Sequence, residues 1–498
     1  MASNVAPRSA GNVRAGRTER ICKQHRNRHR AHAAGYRGDR DGPLRGCGEV
    51  DIADASRPIK KAETEACRSH DPPIEPFEIQ VARPDYLQPP VATQVISLPG
   101  GGTEQRQIPV EMLDGWGGLD NFMTLEIESA ATDEVRTFRL TWCPGGERQR
   151  VNDDGPALPT YPEGCFANPF TRGVIWGIDA GWAVNPFGYR ERPFRLAPGR
   201  YSITASIADR YVDLFGVDPA QSSVTMNAIV EQYECGRHGC HLGRDSAKVP
   251  GPGPSPRVPT MDNPDPALLP DLQSLPAWGI NVQNRRRGEF MSFGANVWTG
   301  GAASLVVEGF RRSGEDVMDA YQYFFDAKGK EVGSVAAGTM EWDARTGHRH
   351  WHFTDFAQYN LLKADKKRAV KSGKEAFCLA PTDAIDILLP GAERAPYEIG
   401  LGTACGGPAA IWIREILPLG WGDTYFQGLP GQSFWITNLP NGTYFIKVEA
   451  NPGGKLHETT ATNNVELREI HIRGRSGQRR IEVPLWNGID TEGGFGRG

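Results

Sequence analysis

Apolar and polar positions alternate in short runs along most of this chain, the period-two pattern of strands that bury one face. Phe138-Arg139-Leu140-Thr141-Trp142 alternates, and so does Tyr201-Ser202-Ile203-Thr204-Ala205-Ser206-Ile207 after the turn Ala197-Pro198-Gly199. Such runs predict an all-β accessory domain of sandwich type over residues 75–242. Val249-Pro250-Gly251-Pro252-Gly253-Pro254-Ser255-Pro256 predicts a semi-rigid linker within 243–262. Strand patterns resume near Trp278 and run to about Arg473, giving a second sandwich-like domain over 263–474. Within it, Phe434-Trp435-Ile436, the turn Leu439-Pro440-Asn441-Gly442 and the alternating Tyr444 to Glu449 predict a hairpin. One stretch has helical spacing: Asp355 to Ala369, with Phe356, Leu361, Leu362 and Ala369 apolar on a polar background. The fold class is mainly β. Residues 475–498, charged and Gly-rich, predict a flexible tail. Residues 1–74 have almost no apolar clusters and predict a disordered segment or a translation start placed too far upstream.

Composition agrees with strands and turns: Gly 59, Pro 38 and 39% hydrophobic residues in 498. A net charge of −4 argues against nucleic acid as a partner. No apolar run reaches the roughly 20 residues that span a bilayer, so no membrane span is expected. No signal-peptide core is visible either, although the cysteines point to an oxidising, extracellular setting. Cys143 with Cys165, Cys235 with Cys240, and Cys378 with Cys405 form three sequence-local couples. Cys235 and Cys240, beside His238 and His241, could alternatively hold zinc.

The densest chemistry lies in His348-Arg349-His350-Trp351-His352, three of the chain's 11 histidines within one pentapeptide. In an extended strand, positions i, i+2 and i+4 point the same way, so three imidazoles would line one face. Three nitrogen donors with open positions suit a borderline metal, and spacing alone leaves copper and zinc both open.

Around this motif the chain resembles the lysyl oxidase family. The resemblance rests on an ordered set: Trp342 ahead of the three histidines, Tyr359-Asn360-Leu361-Leu362, Lys374-Glu375-Ala376-Phe377-Cys378-Leu379 and Asp423-Thr424-Tyr425. It continues through Gly442-Thr443-Tyr444-Phe445-Ile446-Lys447-Val448, Asn451-Pro452, and Glu458 to Asn463-Asn464-Val465, with Leu269-Pro270-Asp271-Leu272 upstream. About 200 residues are covered. The high Arg, Gly and Ala content fits a bacterial-type member, for which collagen is not the expected partner.

The resemblance implies Cu2+ on His348, His350 and His352, and a lysine tyrosylquinone built from Lys374 and Tyr425. A phenol can be oxidised to a quinone electrophile, and a primary amine can add to that ring. The implied reaction is oxidative deamination of a primary amine, with lysine side chains of proteins or peptides among the candidate substrates. It yields an aldehyde, ammonia and hydrogen peroxide, with O2 as oxidant and Asp423 as the base. A Ca2+ site would fall on Asp271, the Leu272 carbonyl, Glu458, Asn463 and Asn464. Gly347 stands where the family has a cysteine, Thr460 where it has an aspartate, and the stretch from Thr382 to Leu419 is long. The competing readings are a three-histidine zinc hydrolase, a structural-zinc β-sandwich binding protein, and an adhesion module whose catalytic parts have decayed.

Overall fold

The computed structural model describes residues 75–230 and 260–493, with breaks at 99, 133, 147, 152–154, 166, 185–195, 198, 327, 345–348, 355, 372–375 and 396–404. The couple Cys235–Cys240 therefore lies outside the described residues, as do His348 and Lys374. The architecture is mainly β, built from antiparallel sheets.

In the N-terminal region, four strands order as Thr103–Ile108, Val91–Ser97, Phe77–Ala82 and Gly173–Ile178. Four more order as Ser223–Val230, Gly199–Ile207, Leu119–Ser129 and Val135–Trp142. Their inward residues, among them Ile79, Val81, Leu125, Ile127 and Trp176, share one core. The one α-helix among the described residues, Asp209–Phe215, ends at Gly216, whose φ of 65° suits a glycine closing a helix. No helix there is long and apolar enough to cross a membrane.

Three sheets form the C-terminal region. A six-stranded sheet runs Ala376–Phe377, His350–Thr354, Glu331–Asp343, Val317–Phe325, Leu305–Arg311 and Trp412–Leu417. A second contains Pro270–Ser274, the long strand Gly288–Gly301, Trp421–Tyr425 and Asp383–Ala384, with Trp278–Arg285 and Ser433–Trp435 also paired to the long strand. The third runs Arg368–Lys371, Ala357–Lys363, Gly442–Ala450, Val465–Arg473 and Arg480–Glu482. One core joins all three through Met291, Phe293, Trp351, Phe353, Tyr359 and Ile446. Fully burying each such side chain contributes roughly 1.5–3 kcal/mol.

Three sequence expectations are corrected. The expected short helix after the metal strand is a β-hairpin, Ala357–Lys363 paired with Arg368–Lys371. The first of these strands also pairs with Gly442–Ala450 and is buried on both faces from Tyr359 to Leu361. Burial on both faces erases the alternation that marks a strand, and the apolar residues that remain mimic a helical stripe. The turn before Gly442 joins no hairpin: Ser433–Trp435 pairs with Gly288–Gly301, while Gly442–Ala450 pairs with Ala357–Lys363 and Val465–Arg473. Beyond Gly474 the chain folds back rather than trailing off. Arg480–Glu482 adds a strand, Thr491 is fully buried, and Trp486 lies edge-on to Tyr86 and Phe170.

The N-terminal region also touches the strand that carries Tyr425. Arg172 and Gly173 donate backbone hydrogen bonds to the Ile385 carbonyl, Ile387 donates to that of Gly173, and Thr171 Oγ1 donates to the Ala384 carbonyl. Ala384, Ile387 and Trp421 belong to the N-terminal core.

Candidate active site

The histidine strand begins at His350, because Arg349 has a φ of 51° and breaks the extended run. The one-face alternation therefore applies to His350 and His352. Their Nε2 atoms lie 2.9 Å apart. Two nitrogens bound to one metal at about 2.0–2.1 Å stand about 2.9–3.4 Å apart, so the two rings already aim at a shared point. His352 is 2% exposed, and its Nδ1 faces Asp343 Oδ2 at 3.5 Å. A carboxylate on the far nitrogen is the usual means of fixing a ligating imidazole's tautomer and ring orientation. Asp343 was missed in the sequence. It ends the neighbouring strand, directly opposite His350, and only the register shows that.

Tyr425 ends the strand Trp421–Tyr425, where all five residues are buried. Its pairing partner is Ala295 on the long strand, and Asp423 is opposite Val297. Alternation sends Asp423 and Tyr425 to one face and Thr424 to the other. On the Thr424 side, its hydroxyl donates to Asp383 and accepts from Asn296 Nδ2. Burial raises the Asp383 carboxyl to about 6, against the hydrogen bonds from Thr424 and Asn168.

On the other face the Tyr425 hydroxyl is held at two points by one residue. It accepts from the Cys378 amide at 2.9 Å and donates to the Cys378 carbonyl at 3.1 Å. Burial, and then the charge of Asp423, hold this phenol well above the ordinary tyrosine range, so it stays protonated. Tyr359 is fully buried nearby and is shifted the same way by burial and by Asp423. Glu415 completes the group: it is 1% exposed, its Oε2 accepts from the Leu379 amide at 3.0 Å, and burial raises it well above a normal carboxyl.

A two-residue strand connects the histidine strand to the phenol. Ala376–Phe377 pairs with Phe353 and Thr354 of the histidine strand, while the Phe377 ring stands edge-on to Tyr425 at 4.9 Å. The disulfide Cys378–Cys405 follows directly, and the Cys405 carbonyl accepts from the Trp351 amide between the two histidines.

Residues 325–480 match the family model described as Lysyl oxidase. The chain carries a lysyl oxidase family domain. Over 135 residues it is 31% identical to human "Protein-lysine 6-oxidase", covering 27% of this chain and 28% of that protein. It is 30% identical to human "Lysyl oxidase homolog 1" over 136 residues, 27% of this chain and 21% of that protein. With chicken "Lysyl oxidase homolog 2" it shares 27% over 160 residues, 31% of this chain and 18% of that protein. The matches thus span less than a third of each of these relatives. Within the chain, the matched lysyl oxidase domain includes the histidine motif, Lys374, Asp423, Tyr425 and Glu458.

The residues singled out for calcium come together elsewhere in the C-terminal region, Asp271 and Leu272 from outside the matched residues. Asp271 Oδ2 accepts from Asn463 Nδ2 at 2.9 Å, and Glu458 Oε1 accepts from Asn464 Nδ2 at 2.7 Å. The Leu272 amide donates to Glu458 Oε2 at 3.2 Å. Three oxygens are left over: Asp271 Oδ1, Asn463 Oδ1 and Asn464 Oδ1 are buried with no hydrogen-bond partner among the described residues. Buried oxygens seldom go without a partner, and hard oxygens gathered this way suit Ca2+. Thr460 takes no part; its hydroxyl is exposed and bonds that of Thr462. Among the described residues no three His, Cys, Asp or Glu side chains cluster as metal ligands, so this site depends on its amides.

Proposed function

We propose that the lysyl oxidase domain oxidatively deaminates primary amines, lysine side chains of proteins or peptides among them, with Tyr425 as the precursor of its quinone. The observation that carries this is the strand Ala376–Phe377, bonded to the histidine strand on one side and flanked by Tyr425 on the other. Lys374 precedes Ala376 by two residues in the sequence, at the position the family resemblance gives to the amine that adds to the ring. Copper on His348, His350 and His352 would supply, with O2, the oxidising power that turns a phenol into a quinone.

The chain's own residues supply the rest. Burial keeps the Tyr425 phenol neutral, and the two Cys378 contacts fix its oxygen. Asp423, on the same face, is placed to take a proton from the carbon bearing the substrate amine. The apolar wall of Phe377, Phe353 and Tyr359 keeps water from the reacting ring. The disulfides Cys143–Cys165 and Cys378–Cys405 suit folding in an oxidising, extracellular compartment. Ca2+ on Asp271, the Leu272 carbonyl, Glu458, Asn463 and Asn464 would satisfy the three leftover oxygens and tie the first strand of the domain to its last loop.

Mass spectrometry of a digest of copper-loaded, aerated protein tests the reading. A peptide joining Lys374 to Tyr425 is expected, together with peroxide release on adding a primary amine. Separate, unmodified Lys374 and Tyr425 peptides from fully loaded protein would defeat it. Zinc binding without redox activity would favour the hydrolase or structural-zinc alternative.

A further inference from the structure

Glu415 occupies a place where a carboxyl group is out of keeping with its neighbours. Ile413, Glu415 and Leu417 point the same way from the strand Trp412–Leu417, and Ile413 and Leu417 belong to the apolar core. Glu415 is buried as deeply as they are, at 1% exposure. One oxygen, Oε2, accepts from the Leu379 amide, and Oε1 has no hydrogen-bond partner among the described residues. Among the described residues, the charge that perturbs it is the like charge of Asp423. A buried carboxyl held by one hydrogen bond costs several kcal/mol against an apolar side chain of the same size. Packing alone would favour leucine here.

What the carboxyl holds explains its presence. The Leu379 N–H and the Cys378 C=O belong to the same peptide group, which is planar and rigid. Glu415 grips that group by its N–H end, and the Tyr425 hydroxyl donates to its C=O end. The Cys378 N–H, one peptide earlier, donates back to the same hydroxyl. A continuous line therefore runs from Glu415 through one peptide to Tyr425, and hydrogen bonds in such a line strengthen one another. The line also bridges the two outermost strands of the six-stranded sheet, Trp412–Leu417 and Ala376–Phe377, at the point where Tyr425 enters.

We propose that Glu415 is a positioning residue for quinone formation: by fixing the Cys378–Leu379 peptide it sets the orientation in which the Tyr425 ring meets oxidant and amine. This rests on the reading of Tyr425 as a quinone precursor, and the test separates the two.

The full-length protein is prepared free of metal as wild type, Glu415→Gln and Glu415→Leu, then loaded with copper in air. The readouts are the rate at which quinone absorbance appears and the yield of the linked Lys374–Tyr425 peptide. Glutamine keeps an acceptor for the Leu379 amide, so its rate should stay within about threefold of wild type. Leucine removes the acceptor, and its rate should fall by about 10–100-fold, the usual consequence of a reacting group displaced by about an ångström. A merely structural role would not give rescue by glutamine, since leucine fits the apolar surroundings better. Hydrogen exchange of the Cys378 and Leu379 amides in the metal-free proteins gives a readout independent of the quinone. It should accelerate at least about tenfold in Glu415→Leu alone, as a lost bond of 1–3 kcal/mol implies. Leucine with wild-type rates in both measurements, or glutamine as slow as leucine, overturns the proposal. Wild type that forms no linked peptide while its amides respond as described overturns the quinone reading and leaves the clamp standing.

Discussion

Two polar clusters are buried in the C-terminal region, and they use their oxygens differently. Around Tyr425 the partners are neutral: the phenol is bonded twice to one residue, Cys378, and Glu415 accepts from an amide with one oxygen while its other has no partner among the described residues. Burial there pushes the Glu415 and Tyr425 groups toward their protonated forms. Around Asp271 the asparagine NH2 groups already fill one oxygen of each carboxylate, and three oxygens are left without donors. The first arrangement holds an organic ring still and dry. The second gathers hard oxygens of the kind that suit a cation. Buried polarity in one fold can thus serve either to hold a ring through a peptide or to gather oxygens, and the kind of oxygen left over separates the two: a carboxyl oxygen of Glu415 near Tyr425, against two asparagine carbonyls beside Asp271 Oδ1.

Breaking the tyrosine side should give the largest effect. Tyr425→Phe should abolish both the linked peptide and peroxide release, yet lower unfolding stability by only about 1–3 kcal/mol from the stranded Cys378 groups. Mass spectrometry, a peroxide assay and thermal unfolding check this together. Asp423→Asn should still form the linked peptide but turn over about 10²–10⁴-fold more slowly, measured as kcat with a primary amine.

The ion side should respond in stability rather than chemistry. Calcium at 100 times its Kd should raise wild-type stability by about 2.7 kcal/mol, and Asn463→Ala with Asn464→Ala should erase that gain in thermal unfolding with and without chelator. The smallest effect concerns the back of the tyrosine strand. Burial pushes the Asp383 carboxyl up to about 6 in the fold from the ordinary 3.8, so the folded state keeps a proton that the unfolded chain loses first. Its contribution is full below about pH 3.8 and falls as pH rises to 6, by about 1 kcal/mol per pH unit. Asp383→Asn should flatten that part of the stability–pH curve, followed by denaturant titration.

Much of this was legible because alternating strands with one wet face write themselves into sequence. Val135–Trp142 and Gly199–Ile207 contain the runs read from alternation, and Cys143–Cys165 and Cys378–Cys405 join as sequence-local couples. Strands buried on both faces lose that signal, which is how Ala357–Lys363 came to resemble a helix. Asp343 and Glu415 were hidden for another reason. Each is one acid among many, and its meaning lies in what pairs across a sheet or across a peptide. Alternation in Trp412–Leu417 does place Glu415 in line with Ile413 and Leu417, a mismatch the sequence alone could have flagged.

The contacts between Thr171–Gly173 and Ala384–Ile387 bear on the order in which the molecule is made. The N-terminal sheets, complete at Val230, leave the ribosome about 150 residues before the segment they hold, and so are ready as a template when it arrives. The strand carrying Tyr425 pairs with that late segment at Asp383–Ala384. Its environment is complete only once the early and late parts of the chain have met. An oxidising cofactor formed there would be switched on last, after synthesis has passed the point where a half-made chain could damage itself.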